Sequence, residues 1–172
     1  MKKSKVKICG LTNLADARFA AGAGADYVGF IFVEGTPRYI EPAMVGAISE
    51  WVEGPNKVGV FQNQELSSVT ETARLVGLDM IQLHGQESTE YCSLLSENHR
   101  IIKVFSVDEQ TNSADLSREL QGYKNVCEYI MFDTKVGSQS GGTGVSFDWK
   151  LINELDIPLP YFLSGGLSHE TV

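Results

Sequence analysis

Two side chains that can exchange protons stand at the ends of predicted β-strands: the thiol of Cys9 and the carboxyl group of Asp133. A thiolate and a carboxylic acid that face one substrate can remove a proton from carbon and donate one to a ring oxygen. That is the chemistry of an aldose-to-ketose isomerisation. The alternatives are structural: Cys9 as a small buried apolar residue, and Asp133 as the cap of a turn through Thr134.

Further polar groups follow other predicted strands. Arg38 follows the second strand, Gln82 and His84 end the fourth, and Gly165-Gly166 follows the last. Glycine loops of this kind can bind a phosphate group through backbone N–H groups. The alternatives are structural: Arg38 could be a solvated surface charge, and His84 could donate to a backbone carbonyl. No cluster of histidines and acids has metal-ligand spacing, so we predict no metal.

These residues lie between regularly alternating elements. Apolar runs and helical periodicity predict seven strands and six helices, typical of βαβ repeats and a parallel sheet. A glycine-rich loop without regular structure is expected at residues 134–144, followed by a helix from Trp149 to Leu155. The seven strands are predicted at residues 6–9, 27–33, 57–61, 80–85, 100–107, 129–133 and 161–163.

Two architectures fit this alternation, a doubly wound sheet and a (β/α)8 barrel. The first strand is not followed by the G-x-G-x-x-G sequence that marks dinucleotide-binding sheets. Polar residues at nearly every strand end suit a barrel, whose active site is built from all the loops of one face. We therefore predict an α/β barrel forming a single domain over residues 1–172.

Composition restricts the possible partners and location. The net charge is −8, without a basic stripe, which argues against a nucleic-acid partner. The three cysteines form no C-x-x-C pair, so neither a disulfide framework nor a zinc site is indicated. With no signal-peptide or membrane-spanning segment in the sequence, we expect a cytoplasmic protein without a membrane partner.

Eight short motifs, in order along the whole chain, resemble the phosphoribosylanthranilate isomerase family of tryptophan biosynthesis. Each motif is weak alone, but eight in register are specific. They are Lys-Ile-Cys-Gly-Leu-Thr at 7–12, residues 25–32, Pro37-Arg38, Gly-Val-Phe at 59–61, Gln-Leu-His-Gly at 82–85, Phe-Asp-Thr at 132–134, Gly-Gly-Thr-Gly at 141–144 with Phe-Asp-Trp at 147–149, and Leu-Ser-Gly-Gly-Leu at 163–167.

The resemblance implies a (β/α)8 barrel that uses no cofactor and binds a phosphosugar. Its reaction would be the Amadori rearrangement of N-(5-phosphoribosyl)anthranilate to 1-(2-carboxyphenylamino)-1-deoxyribulose 5-phosphate. Asp133 matches the general acid, Cys9 the general base, and Arg38 the residue near the anthranilate carboxylate. The matching phosphate contacts are the backbone amides of Gly142, Gly144, Gly165 and Gly166, with Gln82 and His84 lining the mouth in a supporting role.

The sequence departs from the family pattern at its C-terminal side. In a complete member a seventh helix, an eighth strand and an eighth helix would follow Val172, so we expect a barrel of seven strands without the eighth βα unit. The first and seventh strands would then be open edges, and we expect self-association through them. An inactive barrel fragment, acting as an interaction or folding unit, is the alternative to an active isomerase.

Other sugar-phosphate barrels, such as indole-glycerol-phosphate synthase or a pentose-phosphate epimerase, are neighbouring alternatives. Their chemistry calls for a lysine-rich or metal-bearing mouth, and the predicted strand ends carry neither.

Overall fold

The computed structural model describes residues 4–136, 139–140 and 148–168 of the 172-residue chain. Contacts divide the chain into two compact units. The first unit is Met1–Glu87 with Glu97–Arg100, and the second is Ser88–Ser96 with Ile101–Val172. No helix in the described ranges has the length and apolar character needed to cross a membrane.

The first unit alternates strands and helices from its beginning. Its four strands are parallel and pair in chain order, β1 with β2, β2 with β3 and β3 with β4. The pairing register sets Cys9 opposite Gly29, Gly29 opposite Val58, and Val58 opposite Met80. Its elements are β1 Lys7–Cys9, α1 Leu14–Gly22, β2 Tyr27–Ile31, α2 Pro42–Ser49, β3 Asn56–Phe61, α3 Leu66–Val76 and β4 Met80–Leu83.

Local sequence signals explain where these helices begin and end. The Asn13 side chain caps α1 by accepting a hydrogen bond from the Asp16 backbone N–H, at 2.9 Å. Pro42 occupies the first turn of α2, where no intrahelical N–H bond is lost. Gly77 ends α3 with φ of 63°, a left-handed conformation that favours glycine. Asn, Pro and Gly at these three positions are residue types that mark helix ends in a sequence.

The second unit contains the remaining strands. β6 lies between β5 and β8 in a parallel sheet, and the short β7 pairs with the end of β6 in the antiparallel direction. Opposite Asp133 on β6 lies Ser106 of β5. The elements are α4 Thr89–Ser96, β5 Arg100–Val107, α5 Ser113–Gly122, β6 Tyr129–Val136, β7 Gln139–Ser140, a 3-10 helix Trp149–Glu154, and β8 Tyr161–Leu163.

Two predictions for this unit were wrong in part. β6 continues three residues beyond Asp133, where a loop was expected, because residues 135–136 pair with β7. The segment from Trp149 forms a 3-10 helix, capped by the Asp148 carboxylate, which accepts from the Lys150 N–H at 3.0 Å. Its backbone hydrogen bonds span three residues, and the poorer hydrogen-bond geometry of this conformation keeps such helices short.

Candidate active site

The Cys9 thiol lies at the carboxyl end of β1, half-buried and over a glycine of the neighbouring strand. A Cβ atom added at Gly29 would lie 2.7 Å from Cys9 Sγ and 3.0 Å from Lys7 Nζ. The thiol and the ammonium group therefore share the space left by the missing side chain. No role was predicted for Lys7, although its position two residues before Cys9 on a strand places both side chains on one face.

Arg38 lies in the loop after β2 and reaches the end of β1. Its Nη1 donates a hydrogen bond to the Cys9 carbonyl oxygen at 3.2 Å. The guanidinium passes directly over Gly10, because a Cβ atom there would lie 2.7 Å from both Cδ and Nη1 of Arg38. Gly10 also has φ of 85°, so both the backbone and the close approach favour glycine. Arg38 is exposed to solvent but is held beside Cys9.

Gln82 lies on the sheet face that also carries Cys9, as the register from Cys9 through Gly29, Val58 and Met80 requires. Its side chain is only 3 % exposed. Within the described part of the chain, Gln82 Oε1 accepts no hydrogen bond although it is buried. A buried acceptor without a partner is costly, which makes this amide a candidate for a ligand contact. His84, half-buried, follows β4.

A buried carboxylate joins the loops after β3 and β4. Glu87 is 6 % exposed. Its Oε1 accepts from the Asn63 N–H at 2.8 Å, and its Oε2 accepts from the Gly85 N–H at 2.9 Å. Asn63 Oδ1 in turn accepts from the Gln86 N–H at 2.6 Å. Glu87 was not predicted, because nothing in the sequence of a polar loop distinguishes this carboxylate from a solvated one.

In the second unit, Asp133 lies where the parallel part of β6 ends. The ladder with β5 stops at Thr134, one residue later, and the Asp133 side chain is only 5 % exposed. Asp133 Oδ1 accepts a hydrogen bond from the Thr134 N–H at 3.0 Å. Because both residues lie within β6, this contact is made along a strand and caps no turn at Thr134. Ser106, opposite Asp133 on β5, is exposed.

The glycine pair after β8 packs against the same end of β6. The Ser164 N–H and the Ser164 hydroxyl each donate to the Phe132 carbonyl oxygen at 2.9 Å. A Cβ atom added at Gly165 would lie 2.8 Å from the Thr134 backbone nitrogen. Gly165 and Gly166 have φ of 86° and 67°, which favours glycine at both positions. This turn and Asp133 are therefore neighbours within the second unit.

The structure thus groups the predicted residues in two sets. Cys9, Arg38, Gln82 and His84 belong to the first unit, and Asp133, Gly165 and Gly166 to the second. Gly142 and Gly144 lie outside the described residues. Within those residues, no group of three or more His, Cys, Asp or Glu side chains is placed to hold a metal ion.

Comparison with known proteins identifies the family. The sequence model described as "N-(5'phosphoribosyl)anthranilate (PRA) isomerase" matches residues 6–172. The chain belongs to the PRA isomerase family. Relatives named N-(5'-phosphoribosyl)anthranilate isomerase include one from Thermotoga maritima, 42% identical, with 98% of this chain and 80% of the relative covered. Another, from Maridesulfovibrio salexigens, is 33% identical, with 97% of this chain and 79% of the relative covered.

Solved PRA isomerases share the fold. The crystal structure of the Thermotoga maritima enzyme matches with a TM-score of 0.84 at 38% identity, covering 99% of this chain and 80% of that one. The Thermus thermophilus structure also matches with a TM-score of 0.84 at 27% identity, covering 97% of this chain and 79% of that one. The predicted (β/α)8-barrel fold class is confirmed. Among the described residues, four parallel strands, β1 to β4, lie in the first unit, and three parallel strands, β5, β6 and β8, lie in the second.

Proposed function

We propose that this chain catalyses the Amadori rearrangement of N-(5-phosphoribosyl)anthranilate to 1-(2-carboxyphenylamino)-1-deoxyribulose 5-phosphate in tryptophan biosynthesis. The family match over residues 6–172 carries the proposal. A related PRA isomerase structure, 36% identical, is described in complex with reduced 1-(o-carboxyphenylamino)-1-deoxyribulose 5-phosphate. A phosphosugar of this kind suits a site with an acid, a base and glycine turns.

Asp133 is proposed as the general acid that opens the sugar ring. Its protonated carboxyl group donates to the furanose oxygen, the bond from C1 to that oxygen breaks, and the anilino nitrogen becomes part of a protonated Schiff base. The position of Asp133 at the end of the parallel ladder supports this role, since active sites of barrels lie at the carboxyl ends of the strands.

Cys9 is proposed as the general base in the second step. Its thiolate takes the proton from C2 of the Schiff base, and the electron pair forms the C1–C2 double bond of an aminoenol. Tautomerisation moves a proton to C1 and leaves a ketone at C2, so the formula of substrate and product is the same. The Lys7 ammonium group and Cys9 Sγ both lie over Gly29, so Lys7 is the cationic group next to the proposed base.

Arg38 is proposed to bind the anthranilate carboxylate. A planar guanidinium group has five N–H donors and can bind two carboxylate oxygens at once. One donor holds the Cys9 carbonyl, so Arg38 can bind the substrate while it stays next to the proposed base. Gln82, with its buried amide on the same sheet face as Cys9, and His84 are proposed to line the mouth of the site.

The backbone amides of Gly165 and Gly166 are proposed to bind the phosphate. Both glycines have positive φ angles in the turn after β8, and backbone N–H groups in such turns can form a concave site for an anion. Gly142 and Gly144 are proposed as further contacts from the residues outside the described ranges. The chemistry as written consists of proton transfers, so we propose no cofactor. We also propose a cytoplasmic location, because three cysteines without a C-x-x-C pair indicate no disulfide framework and suit a reducing compartment.

A turnover assay tests the function directly. The purified chain is mixed with N-(5-phosphoribosyl)anthranilate, and loss of the substrate's fluorescence is followed together with identification of the product by mass spectrometry. We expect conversion to the ribulose 5-phosphate derivative. Absence of turnover by a chain shown to be folded by circular dichroism would favour the inactive fragment instead. A panel of other sugar phosphates serves as the control for specificity.

A further inference from the structure

Two cysteines of the second unit contact each other away from the proposed active-site residues. Cys92 lies on α4 and is fully buried, at 0% exposure, and Cys127 is half-buried in the segment before β6. Their thiol groups are hydrogen-bonded to one another. Neither thiol has a place in the isomerase mechanism. A pair of adjacent thiols, one of them reachable from solvent, is a potential site of redox modification.

Helix packing independently brings α4, which carries Cys92, close to the segment after α5, which carries Cys127. Thr89 and Cys92 are three residues apart on α4 and so share a face. The Thr89 methyl group lies 3.3 Å from the position of a Cβ atom added at Gly122, the last residue of α5. The Cys127 N–H donates to the Tyr123 carbonyl oxygen at 3.0 Å, which keeps Cys127 next to the end of α5. The face of α4 that carries Cys92 thus packs on the segment that carries Cys127.

A buried lysine adds charge beside the pair. Lys103 on β5 is 3 % exposed, and its Nζ donates to the Val104 carbonyl oxygen at 3.2 Å. The hydrogen bond with Cys92, and after it burial, raise the pKa of the Cys127 thiol well above its usual range. The positive charge of Lys103 acts in the opposite direction. The thiol form of Cys127 is therefore favoured at rest, and the charge of Lys103 favours the minor thiolate form through which an oxidant reacts.

We propose that Cys92 and Cys127 are a reversible disulfide site, formed when the protein meets a two-electron thiol oxidant such as hydrogen peroxide. The half-buried Cys127 reacts first: its thiolate attacks one peroxide oxygen, the O–O bond breaks, and Cys127 sulfenic acid and water result. The Cys92 sulfur then attacks the Cys127 sulfur and expels the second water. Two thiols lose two protons and two electrons, and the peroxide gains them as two waters.

Cross-linking would tie α4 to the segment before β6 within the second unit. A disulfide that closes a loop of this size reduces the conformational freedom of the unfolded chain and thereby stabilises the folded one. We expect oxidation to raise the thermal unfolding midpoint by roughly 5 to 10 °C, and dithiothreitol to reverse the shift.

The test uses the full chain, treated with hydrogen peroxide and digested without reduction. We expect mass spectrometry to find one cross-linked peptide pair that contains Cys92 and Cys127, lighter than the sum of its parts by two hydrogen atoms. In C9S the intact mass should fall by the same amount, because no other thiol remains. Overoxidised Cys127 beside a free Cys92, or a disulfide that includes Cys9, would overturn the proposal.

Matched variants separate the disulfide from general oxidation damage. C127A and C92A should each lose the cross-linked peptide and the peroxide-induced rise of the unfolding midpoint. K103M should keep the disulfide but form it several-fold more slowly, as expected for loss of the charge that favours the thiolate. A midpoint that rises equally in C127A and in the unmodified chain would contradict the inference. Because the peptide analysis uses the unmodified chain, the result does not depend on how these variants fold or on whether the isomerase assay succeeds.

Discussion

Arg38 Nη1 donates a hydrogen bond to the carbonyl oxygen of Cys9 at 3.2 Å. This contact joins the loop after β2 to the end of β1. It keeps the proposed carboxylate-binding group and the proposed base together before any substrate is bound. Groups held in place in this way lose little freedom on binding, and this favours both affinity and rate.

Replacement of the Arg38 guanidinium should weaken substrate binding more than it slows chemistry. We expect R38M to raise KM by roughly 30-fold or more, because a charge-assisted hydrogen-bonded contact is lost. R38K should recover only part of the lost substrate affinity, since an ammonium group cannot bind two carboxylate oxygens as a planar guanidinium group does. Steady-state kinetics give the result, with R118M on the exposed face of α5 as the control. A fall in kcat at constant KM would contradict the proposed role.

Removal of either proposed proton-transfer group should reduce kcat. We expect C9A and D133N each to lower kcat by about 10²- to 10⁴-fold with a smaller change in KM. The same substitution at an exposed acid, D115N, is the control for Asp133, and C127S is the control for Cys9. Near-normal turnover by D133N or C9A would show that another group transfers the proton.

Gly29 should tolerate no side chain, although it lies in the middle of a strand. In G29A the added methyl group would meet Cys9 Sγ at 2.7 Å and the Cys9 Cα at 3.2 Å. Displacement of the thiol should reduce kcat by roughly 10- to 100-fold, and overpacking should cost about 1 to 3 kcal/mol of stability. G46A, where no atom lies within 4 Å of the new methyl group, should show neither effect.

Glu87 should contribute to stability through its two backbone hydrogen bonds. In E87Q one carboxylate oxygen becomes an NH2 group, which cannot accept from the N–H groups of Asn63 or Gly85. We expect the free energy of unfolding to fall by about 2 to 3 kcal/mol, measured by urea denaturation. E119Q on the exposed side of α5 should change it by less than about 0.5 kcal/mol. Equal stability of E87Q and the unsubstituted protein would mean that the loop contact is weak.

The outer edge of β1 is the surface through which we propose self-association with a second copy. Among the described residues β1 pairs with β2 alone. Beside it Ile8 is 41% exposed and Phe19 79% exposed, and both line an apolar groove of about 370 Å³. Sedimentation velocity should show concentration-dependent dimers that F19S weakens, whereas L75S on α3 should not. A monomer at all concentrations would contradict this proposal.

The sequence by itself determined the family and the order of the strands and helices up to Asp133. Apolar periodicity and capping residues act over a few neighbouring residues, so Asn13, Pro42 and Gly77 marked helix boundaries that the structure has. The strand ends that carry Cys9 and Arg38 could be located for the same reason. Family resemblance then supplied roles that spacing alone leaves open.

Only the tertiary structure decided which groups contact these residues. The approach of Lys7 to Cys9 depends on Gly29 of the next strand, and the buried state of Glu87 depends on the backbone of Asn63. The extension of β6 beyond Asp133 depends on pairing with β7. Each of these features is a contact between segments that folding brings together. Local sequence patterns depend on the interactions of neighbouring residues, so they do not predict contacts between distant ones.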